Sequence, residues 1–372
     1  MKINKLAIIL TSCFCFFTIS RSIAQTTNTG AVRVCVARIT HDHVVWILSR
    51  NKPDVIIVGI YEPDTALAQR YSKKYSFPLS LVYNDLNKMI DAVKPEAVLA
   101  FGSVLEHTEV VEACAPRHIN VMVEKPLATT FAHAQRMESL AKQYNIQLLT
   151  NFETSWYPST TKTYQLINDS NYAGKIKKVV VHDGHQGPKE IGVTKEFFEW
   201  LTDPVKNGGG ALMDFGCYGA NLMTYLMNGQ QPVSVTAVTQ HFKPNIYPKV
   251  EDEATIIVSY PNAQCIIQAS WNWPFGRKDM EVYGQTGYVI SVNNNTMRLR
   301  AQPDTSEHII HVNATDLGVY TDPFAYLADV LRNKIKLPEN GFYSLLTNVT
   351  AVHILDAATE SAKTGKTVYF KK

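Results

Sequence analysis

Cysteine motifs are missing from this sequence. Six cysteines are spread over 372 residues, with neither a C-x-x-C motif nor metal-ligand spacing. Four of them, Cys35, Cys114, Cys217 and Cys265, lie beyond the N-terminal segment, mostly in apolar runs that favour buried, unreactive thiols. The sequence therefore predicts neither a disulfide framework nor a metal site.

Excess charge is also missing. The formal net charge is +3, from 36 basic and 33 acidic side chains, and three of the basic ones, Lys2, Lys5 and Arg21, lie in the N-terminal segment. The rest of the chain is balanced at 33 residues of each sign, and no basic stripe stands out. We therefore expect no nucleic-acid partner.

Long apolar runs are absent after the N-terminus. The first residues combine a positive start at Lys2 and Lys5, the apolar run "LAIILTSCFCFFTI" and the small residues "SIA" before Gln25. This pattern predicts a cleaved signal peptide over 1–24, and hence a periplasmic or secreted protein with no other membrane segment. "LTSC", ending at Cys13, resembles a lipobox, so a lipoprotein is the alternative.

Glycine is missing where a dinucleotide-binding loop would need it. In "VRVCVARITHDHVVWIL", Val32 to Leu48, an apolar strand runs into a turn and a helix, but Arg38 and Thr40 occupy the first two glycine positions of a G-x-G-x-x-G motif. Thr40 could cap the helix or donate its hydroxyl to a phosphate. An ordinary strand–helix turn is the alternative.

The pattern of hydrophobic residues divides the chain in two. Short β-rich runs alternate with helical ones from Val32 to about Leu149, which predicts a parallel, doubly wound sheet over 30–150. After Trp156, strands joined by tight turns predict an open, mostly antiparallel sheet with helices on one face, over 151–372. The last helices of this second domain can pack back on the first.

Three further positions point to chemistry. Glu62 ends the second strand, where an acidic residue binds the adenosine ribose and disfavours a 2′-phosphate, so NAD is favoured over NADP. In "VEKPLATT", Lys125 lies at the ligand-binding edge of a parallel sheet. In "GGGALMDFGCYGANLMTYLM", Asp214 and Tyr218 share a helix face, and three glycines allow a close approach to the backbone. The alternatives are solvated surface charges and a glycine-rich loop before a packed helix.

These motifs resemble the Gfo/Idh/MocA oxidoreductases, the relatives of glucose–fructose oxidoreductase and inositol dehydrogenase. The resemblance rests on "EKPLATT", "NFETSWYPS", "GGGALMDFGCYGANLMTYLM", "DMEVYGQTG" and "AATESAKTGKTV", and covers nearly all of the chain after the leader. It implies an N-terminal Rossmann domain, an NAD(P) cofactor and a small-molecule carbohydrate substrate. It also implies a homo-oligomer, a dimer or tetramer, built through the second sheet.

The resemblance also implies site residues. The catalytic ones are Lys125, Asp214 and Tyr218. With the residue patterns above, the predicted cofactor contacts are Ile39, Thr40, His43, Glu62, His107, Glu124 and Lys125. Asp214 is also a predicted substrate contact, as are Trp156 and His185, whose flat rings could stack on a sugar; a surface position at a strand end is the alternative for the histidine. The chain departs from the family at Arg38, which replaces a glycine, at "FGS", which replaces the usual threonine–proline before His107, and at Asn221, which replaces an aspartate.

An exported NAD-dependent oxidoreductase acting on a sugar, polyol or glycoside hydroxyl is the expected function. The Lys125 ammonium is expected to lower the pKa of Tyr218 so that the phenol can act as base, while Asp214 orients the substrate hydroxyl. One alternative is glycoside cleavage through transient oxidation with a recycled cofactor. The other is a degenerate carbohydrate-binding protein that has lost NAD.

The loop itself yields one further expectation. We expect it to bind cofactor through Thr40 and the N–H groups of the following helical turn, with Arg38 tolerated but not required. The competing view is that Arg38 fills the pyrophosphate site and blocks it.

Overall fold

The computed structural model describes residues 30–370. The predicted signal peptide, 1–24, and Cys13 of the alternative lipobox therefore lie outside the described residues. Within the described range, every helix is too short or too polar to cross a membrane.

The first sheet has six parallel strands in the order β3-β2-β1-β4-β5-β6. Its central strands are almost wholly buried, as expected for a sheet covered by helices on both faces. The strands are β1 Val32–Ala37, β2 Val55–Tyr61, β3 Val82–Tyr83, β4 Ala97–Ala100, β5 Asn120–Glu124 and β6 Leu148–Asn151. The helices are α1 Val45–Leu48, α2 Thr65–Tyr75, α3 Leu86–Val93, α4 Glu106–Cys114 and α5 Phe131–Tyr144. The predicted doubly wound sheet is confirmed.

The second sheet has nine strands in the order β14-β13-β12-β11-β7-β10-β9-β8-β15, and its pairs are antiparallel apart from β7 with β10. The strands are β7 Ile176–Gly184, β8 Ser234–Gln240, β9 Glu253–Ser259, β10 Gln264–Ser270, β11 Arg277–Gly284, β12 Gly287–Ser291, β13 Thr296–Ala301, β14 Asp304–His311 and β15 Val368–Tyr369. Buried and half-exposed residues alternate along β9 and β10, which matches a sheet with one covered and one open face. The predicted antiparallel sheet is confirmed.

The remaining helices cover this sheet and join it to the first. They are α6 Pro158–Tyr164, α7 Pro188–Ile191, α8 Lys195–Leu201, α9 Ala211–Asp214, α10 Gly216–Leu226, α11 Ala314–Leu317, α12 Pro323–Leu331 and α13 Leu345–Thr364. Helix α13 packs on α10 and also on α5 of the first domain. Just after α12, Arg332 pairs with Glu96 at 2.6 Å, so the chain's end does return to the first domain.

The glycine-rich segment differs from the expected single helix. The chain breaks at Phe215 between α9 and α10, so Asp214 and Tyr218 lie on two short helices. The backbone that approaches the glycines is that of Glu251: a Cβ at Gly210 would lie 1.9 Å from the Glu251 carbonyl oxygen. Gly208 likewise lies close to the Thr129 carbonyl, so these glycines allow close packing of one backbone on another.

The four cysteines of the described chain are all free and buried. This agrees with the expected buried, unpaired thiols.

Candidate active site

The loop after β1 keeps the shape of a phosphate-binding turn without its glycine. The strand order reverses between β1 and β4, and a doubly wound sheet binds its ligands in the crevice outside the carboxyl ends of such strands. Arg38, the first residue after β1, has a φ of 66°, in the left-handed region that glycine normally supplies. The turn is therefore preserved in its backbone although the residue type has changed.

Two carboxylates hold the Arg38 side chain. Its Nη1 donates to Glu62 Oε1 at 2.7 Å, and its Nε lies 2.9 Å from Glu106 Oε1. The side chain passes over Gly102, where a Cβ would lie 2.9 Å from Arg38 Cγ and 2.6 Å from Glu106 Oε2. Two of the three departures from the family pattern thus explain each other, because the arginine after β1 lies against the glycine after β4.

Glu62 is buried, and both of its carboxylate oxygens are engaged. Besides the Arg38 bond, Oε2 accepts the Ile39 N–H at 3.2 Å and Oε1 accepts the Asp64 N–H at 3.0 Å. Burial raises the pKa of Glu62, and Arg38 opposes that rise. The ribose contact stays a prediction, but Glu62 also neutralises the arginine, which the sequence analysis did not foresee.

A cleft of about 380 Å³ opens at this edge of the first sheet, lined in part by Arg38, Thr40, Glu62, Ser103, Glu106 and Trp200. The Thr40 N–H has no hydrogen-bond partner among residues 30–370. His107 lies behind the loop after β4, and its buried Nε2 has no partner either. A free N–H just before a helical turn fits a phosphate group of a dinucleotide. Thr40 and Glu62, which line the cleft, would hold that cofactor, whereas the cofactor contact of the buried His107 stays a prediction.

A segment of the second domain bridges the mouth of this cleft. Just before α8, the Thr194 hydroxyl donates to Asp42 at 2.5 Å; on α8, Glu196 pairs with Arg70 at 2.8 Å. Further along, the Lys206 carbonyl accepts the Leu105 N–H at 2.9 Å. Both domains therefore enclose the predicted cofactor site.

His43 belongs to a chain of hydrogen bonds that starts in the loop after β1. Its Nδ1 lies 3.0 Å from Glu124 Oε2, at the end of β5. Glu124 Oε1 accepts from the Asn151 amide at 2.8 Å, and Asn151 Oδ1 accepts from Trp156 Nε1 at 3.1 Å. The His43 ring stacks on Trp46, with centroids 3.7 Å apart. Glu124 and His43, both predicted cofactor contacts, are thus joined to each other.

The residues His41, His43 and Glu124 bring possible metal-ligand atoms within 4.8 Å of one another. His41 Nδ1, however, already accepts the His43 N–H at 3.0 Å, and His43 Nδ1 faces Glu124. The ammonium of Lys125 follows directly in the chain and opposes a cation. The trio is therefore arranged for hydrogen bonding.

Lys125 and Asp214 form a buried ion pair where the two domains meet. Lys125 Nζ lies 2.5 Å from Asp214 Oδ1 and donates to the Asp214 carbonyl at 2.9 Å. Trp271 Nε1 donates to the second carboxylate oxygen at 2.9 Å. Although burial opposes both charges, each one stabilises the other: the pKa of Asp214 is lowered and that of Lys125 is raised. The structure therefore brings together two of the three predicted catalytic residues.

Tyr218 is the third, and its ring is buried beside this pair. Lys125 Nζ lies 5.1 Å and Lys278 Nζ 4.8 Å from the ring centroid, so both ammonium groups contact the ring face. Burial, with Glu153 and Asp183 next, raises the pKa of Tyr218 well above its usual value. The expected lowering of that pKa is therefore wrong, because the cost of burying a phenolate outweighs the effect of the nearby ammonium groups.

Sequence reasoning missed three ionisable residues of this cluster. Lys278 pairs with Glu153, and Asp183 lies directly across the β7–β11 register from Lys278. Both carboxylate oxygens of Asp183 are buried without a hydrogen-bond partner, and burial raises its pKa well above the usual range. From sequence alone, a lysine and an aspartate in strands are expected at the surface. The strand register that places Asp183 opposite Lys278 cannot be predicted from local sequence.

A second cleft, of about 640 Å³, runs from this cluster along the second sheet. It is lined in part by Tyr157, His185, Phe215, Lys278, Asn294 and Arg298. His185, predicted to contact substrate, therefore lines it. Trp156 does not line this cleft, because its ring packs edge-on against Trp46, with centroids 4.7 Å apart. Its substrate contact stays a prediction.

Comparison with known proteins gives matches over both domains. The oxidoreductase-family model with an NAD-binding Rossmann fold matches residues 27–152, and the GFO/IDH/MocA C-terminal domain model matches residues 162–290. A trans-1,2-dihydrobenzene-1,2-diol dehydrogenase of Xenopus tropicalis is 29% identical over 210 residues. That match covers 55% of this chain and 58% of the relative, so this chain spans little more than half the length of that protein.

Solved structures share the fold at low identity. An aldose-aldose oxidoreductase from Caulobacter crescentus, complexed with glycerol, has a TM-score of 0.74 at 19% identity, covering 91% of this chain and 100% of its own. An inositol dehydrogenase homolog from Azotobacter vinelandii, complexed with NADH and myo-inositol, has a TM-score of 0.75 at 14% identity, covering 92% and 98%.

Proposed function

The chain belongs to the Gfo/Idh/MocA family of NAD(P)-dependent oxidoreductases, and from that premise we propose that it oxidises or reduces a hydroxyl-bearing carbon of a sugar, polyol or glycoside, with NAD as the hydride carrier. The buried Lys125–Asp214 pair carries the proposal. It joins the end of β5 in the first domain to α9 in the second, next to Phe215, which lines the cleft of the second domain.

Alcohol oxidation needs a hydride acceptor and a group that receives the hydroxyl proton. NAD would supply the hydride acceptor when bound. Lys125 lies where an ammonium can stabilise developing negative charge on the substrate oxygen, and Asp214 fixes that ammonium. Tyr218, kept neutral by burial, suits proton donation to a carbonyl in the reducing direction.

The substrate cleft favours an uncharged ligand. Arg298 is paired with Glu307 through two bonds of 2.9 Å, and Lys278 with Glu153. The Asn294 amide makes no hydrogen bond to the described residues and is free for a ligand. Polar groups with balanced charge beside the aromatic rings of Tyr157 and Phe215 suit a neutral carbohydrate. The inositol dehydrogenase homolog complexed with myo-inositol, the aldose-aldose oxidoreductase and the dihydrodiol dehydrogenase are consistent with this class.

The N-terminal pattern supports an exported location, periplasmic or secreted. Free NAD is scarce outside the cytoplasm, so an exported enzyme would need a cofactor that stays bound and is recycled within one catalytic cycle. A net non-redox cleavage of a glycoside through transient oxidation is therefore the second candidate, and the enclosed cofactor cleft favours it. We also propose that the protein forms a homo-oligomer through the open face of the second sheet.

Two measurements test these proposals. Mass spectrometry of protein purified from its native compartment should find NAD bound and a mature N-terminus at Gln25. Incubation with NAD and D-glucose, myo-inositol or cellobiose should produce reduced nicotinamide, or cleaved glycoside without net reduction. Protein that binds no NAD and changes none of these compounds would instead support a degenerate binding protein.

A further inference from the structure

Carboxylates outnumber cations in the cofactor cleft at the edge of the first sheet. The described residues that line it include six acidic side chains, namely Glu62, Asp64, Glu106, Glu109, Glu196 and Glu199. The basic side chains among the same residues are Arg38 and Lys206. Because the pyrophosphate of a dinucleotide is itself an anion, this cleft needs a cation that is free to pair with it.

Arg38 does not supply a free charge. Its Nη1 donates to Glu62 Oε1 at 2.7 Å, and its Nε lies 2.9 Å from Glu106 Oε1. Two carboxylates therefore share one positive charge. The guanidinium neutralises the acidic wall of the cleft, and an incoming phosphate would have to compete with both carboxylates for it.

Lys206 does supply a free charge. This side chain belongs to the second domain and is exposed, and its ammonium forms neither an ion pair nor a hydrogen bond with residues 30–370. Among the described residues that line the cleft, Lys206 is thus the basic one whose charge has no carboxylate partner.

The backbone that carries Lys206 is fixed at the mouth of the cleft. Its carbonyl accepts the N–H of Leu105, a residue of the first domain that also lines the cleft, at 2.9 Å. Within the same turn, Asp203 Oδ1 accepts the N–H groups of Val205 at 2.9 Å and Lys206 at 3.2 Å. Ordering this lysine on a ligand therefore costs side-chain entropy but no backbone entropy.

Each domain thus offers one unpaired donor to the same cleft. The Thr40 N–H, in the loop after β1, has no partner among the described residues, and the Lys206 ammonium faces the cleft from the second domain. A backbone N–H before a helical turn and a lysine ammonium both suit phosphate oxygens. A pyrophosphate, with two phosphate groups, has acceptors for both donors.

We propose that the Lys206 ammonium binds the pyrophosphate of NAD, so that the second domain contributes directly to holding the cofactor. The inference rests on the proposed function. Release of NAD then requires that a contact to each domain be broken. Slow release suits an enzyme that recycles its cofactor within one catalytic cycle.

Calorimetry of the wild type and Lys206→Gln tests the contact without any turnover. Glutamine keeps most of the side-chain stem but removes the charge. The Kd values of NAD and of ADP-ribose, which carries the pyrophosphate but not the nicotinamide, should each rise by roughly 3–10-fold at low ionic strength. The difference from wild type should narrow as salt is added, because the ammonium is exposed and salt screens its charge. Adenosine lacks the pyrophosphate, and its binding, measured by ligand-observed nuclear magnetic resonance, should not change.

Lys189→Gln is the matched control. Lys189 lies on α7 of the same domain, is likewise exposed and unpaired among the described residues, and does not line the cleft. Its substitution changes the net charge by the same amount and should leave the Kd of NAD within about 1.5-fold of wild type. Thermal unfolding without NAD should be the same for both variants and the wild type, since neither ammonium has an intramolecular partner to lose.

The outcomes separate the contact from the proposed function. If Lys206→Gln binds NAD and ADP-ribose within about 1.5-fold of wild type, or no more weakly than Lys189→Gln does, the Lys206 contact is overturned, while NAD binding by the wild type still supports the proposed function. An equal loss for adenosine also overturns the contact, because it places the effect away from the pyrophosphate. Wild-type protein that binds neither NAD nor ADP-ribose overturns both.

Discussion

Replacing Arg38 by glycine restores the residue that the loop shape calls for and removes the cation between Glu62 and Glu106. We expect Arg38→Gly to weaken NAD binding and to destabilise the fold. The physical reason is that Glu62, whose side chain is 0% exposed, would lose its charged partner and keep only the N–H groups of Ile39 and Asp64. The cleft would then present two uncompensated carboxylates to a pyrophosphate.

The magnitudes follow from opposing terms. Breaking a buried ion pair costs about 3–5 kcal/mol, and the two remaining N–H donors and the partial exposure of Arg38 place this case at the lower end. Relief of the left-handed φ returns about 1–2 kcal/mol. The net loss of unfolding free energy should be about 1–3 kcal/mol. Losing one cation near a phosphate at an intermediate dielectric should cost roughly 1–2 kcal/mol of NAD binding, about 5–30-fold in Kd.

Calorimetry with NAD and denaturant unfolding measure both effects. The double variant Arg38→Gly with Glu62→Gln is the control, because it removes the cation and the buried anion together, and it should recover most of the lost stability. Tighter NAD binding by Arg38→Gly than by wild type would show that the arginine obstructs the pyrophosphate site. Equal binding would mean that Arg38 is merely tolerated, as the sequence alone suggested.

Three further substitutions or ligands probe the site. Lys125→Met should lower turnover by at least about 100-fold while circular dichroism stays native, and full activity would remove Lys125 from the mechanism. Asp183→Asn should become increasingly stabilising, relative to wild type, as pH rises above about 4. The folded pKa of Asp183 is raised by burial, so the wild type loses stability as pH rises from the unfolded value toward the folded one; pH-independent differences in urea unfolding would contradict this. NADP should bind at least about tenfold more weakly than NAD, because its extra phosphate meets the acidic side of the cleft; calorimetry showing tighter NADP binding would refute the argument.

The fold was readable from the sequence because its patterns are local. Alternating strands and helices up to Leu149, and alternating exposure afterwards, follow directly from hydrophobic period. The position of Lys125 at the edge of the parallel sheet was also predictable from the pattern of strands, whereas its meeting with Asp214, on α9 of the second domain, followed only from the family resemblance.

What escaped prediction depends on register and on competition between partners. Asp183 meets Lys278 only through the pairing of β7 with β11, which sequence periodicity does not fix. The pKa of Tyr218 was predicted with the wrong sign because the sequence does not show how completely the phenol is buried. The link between Arg38 and Gly102 was visible as two separate departures from the family pattern, but only the coordinates show that one side chain lies over the other residue.

The four buried thiols have a consequence for how the protein meets its surroundings. A thiol reacts with oxidants and disulfides as the thiolate, and burial raises the pKa of Cys35 to about 12 and displaces those of Cys114, Cys217 and Cys265 in the same direction. None of these four sulfurs is joined in a disulfide, so the described fold neither gains stability from oxidation nor loses it on reduction. Within residues 30–370 the thiols are therefore shielded from oxidants once the fold has formed, and their vulnerable period is the interval before folding, when all four are still exposed.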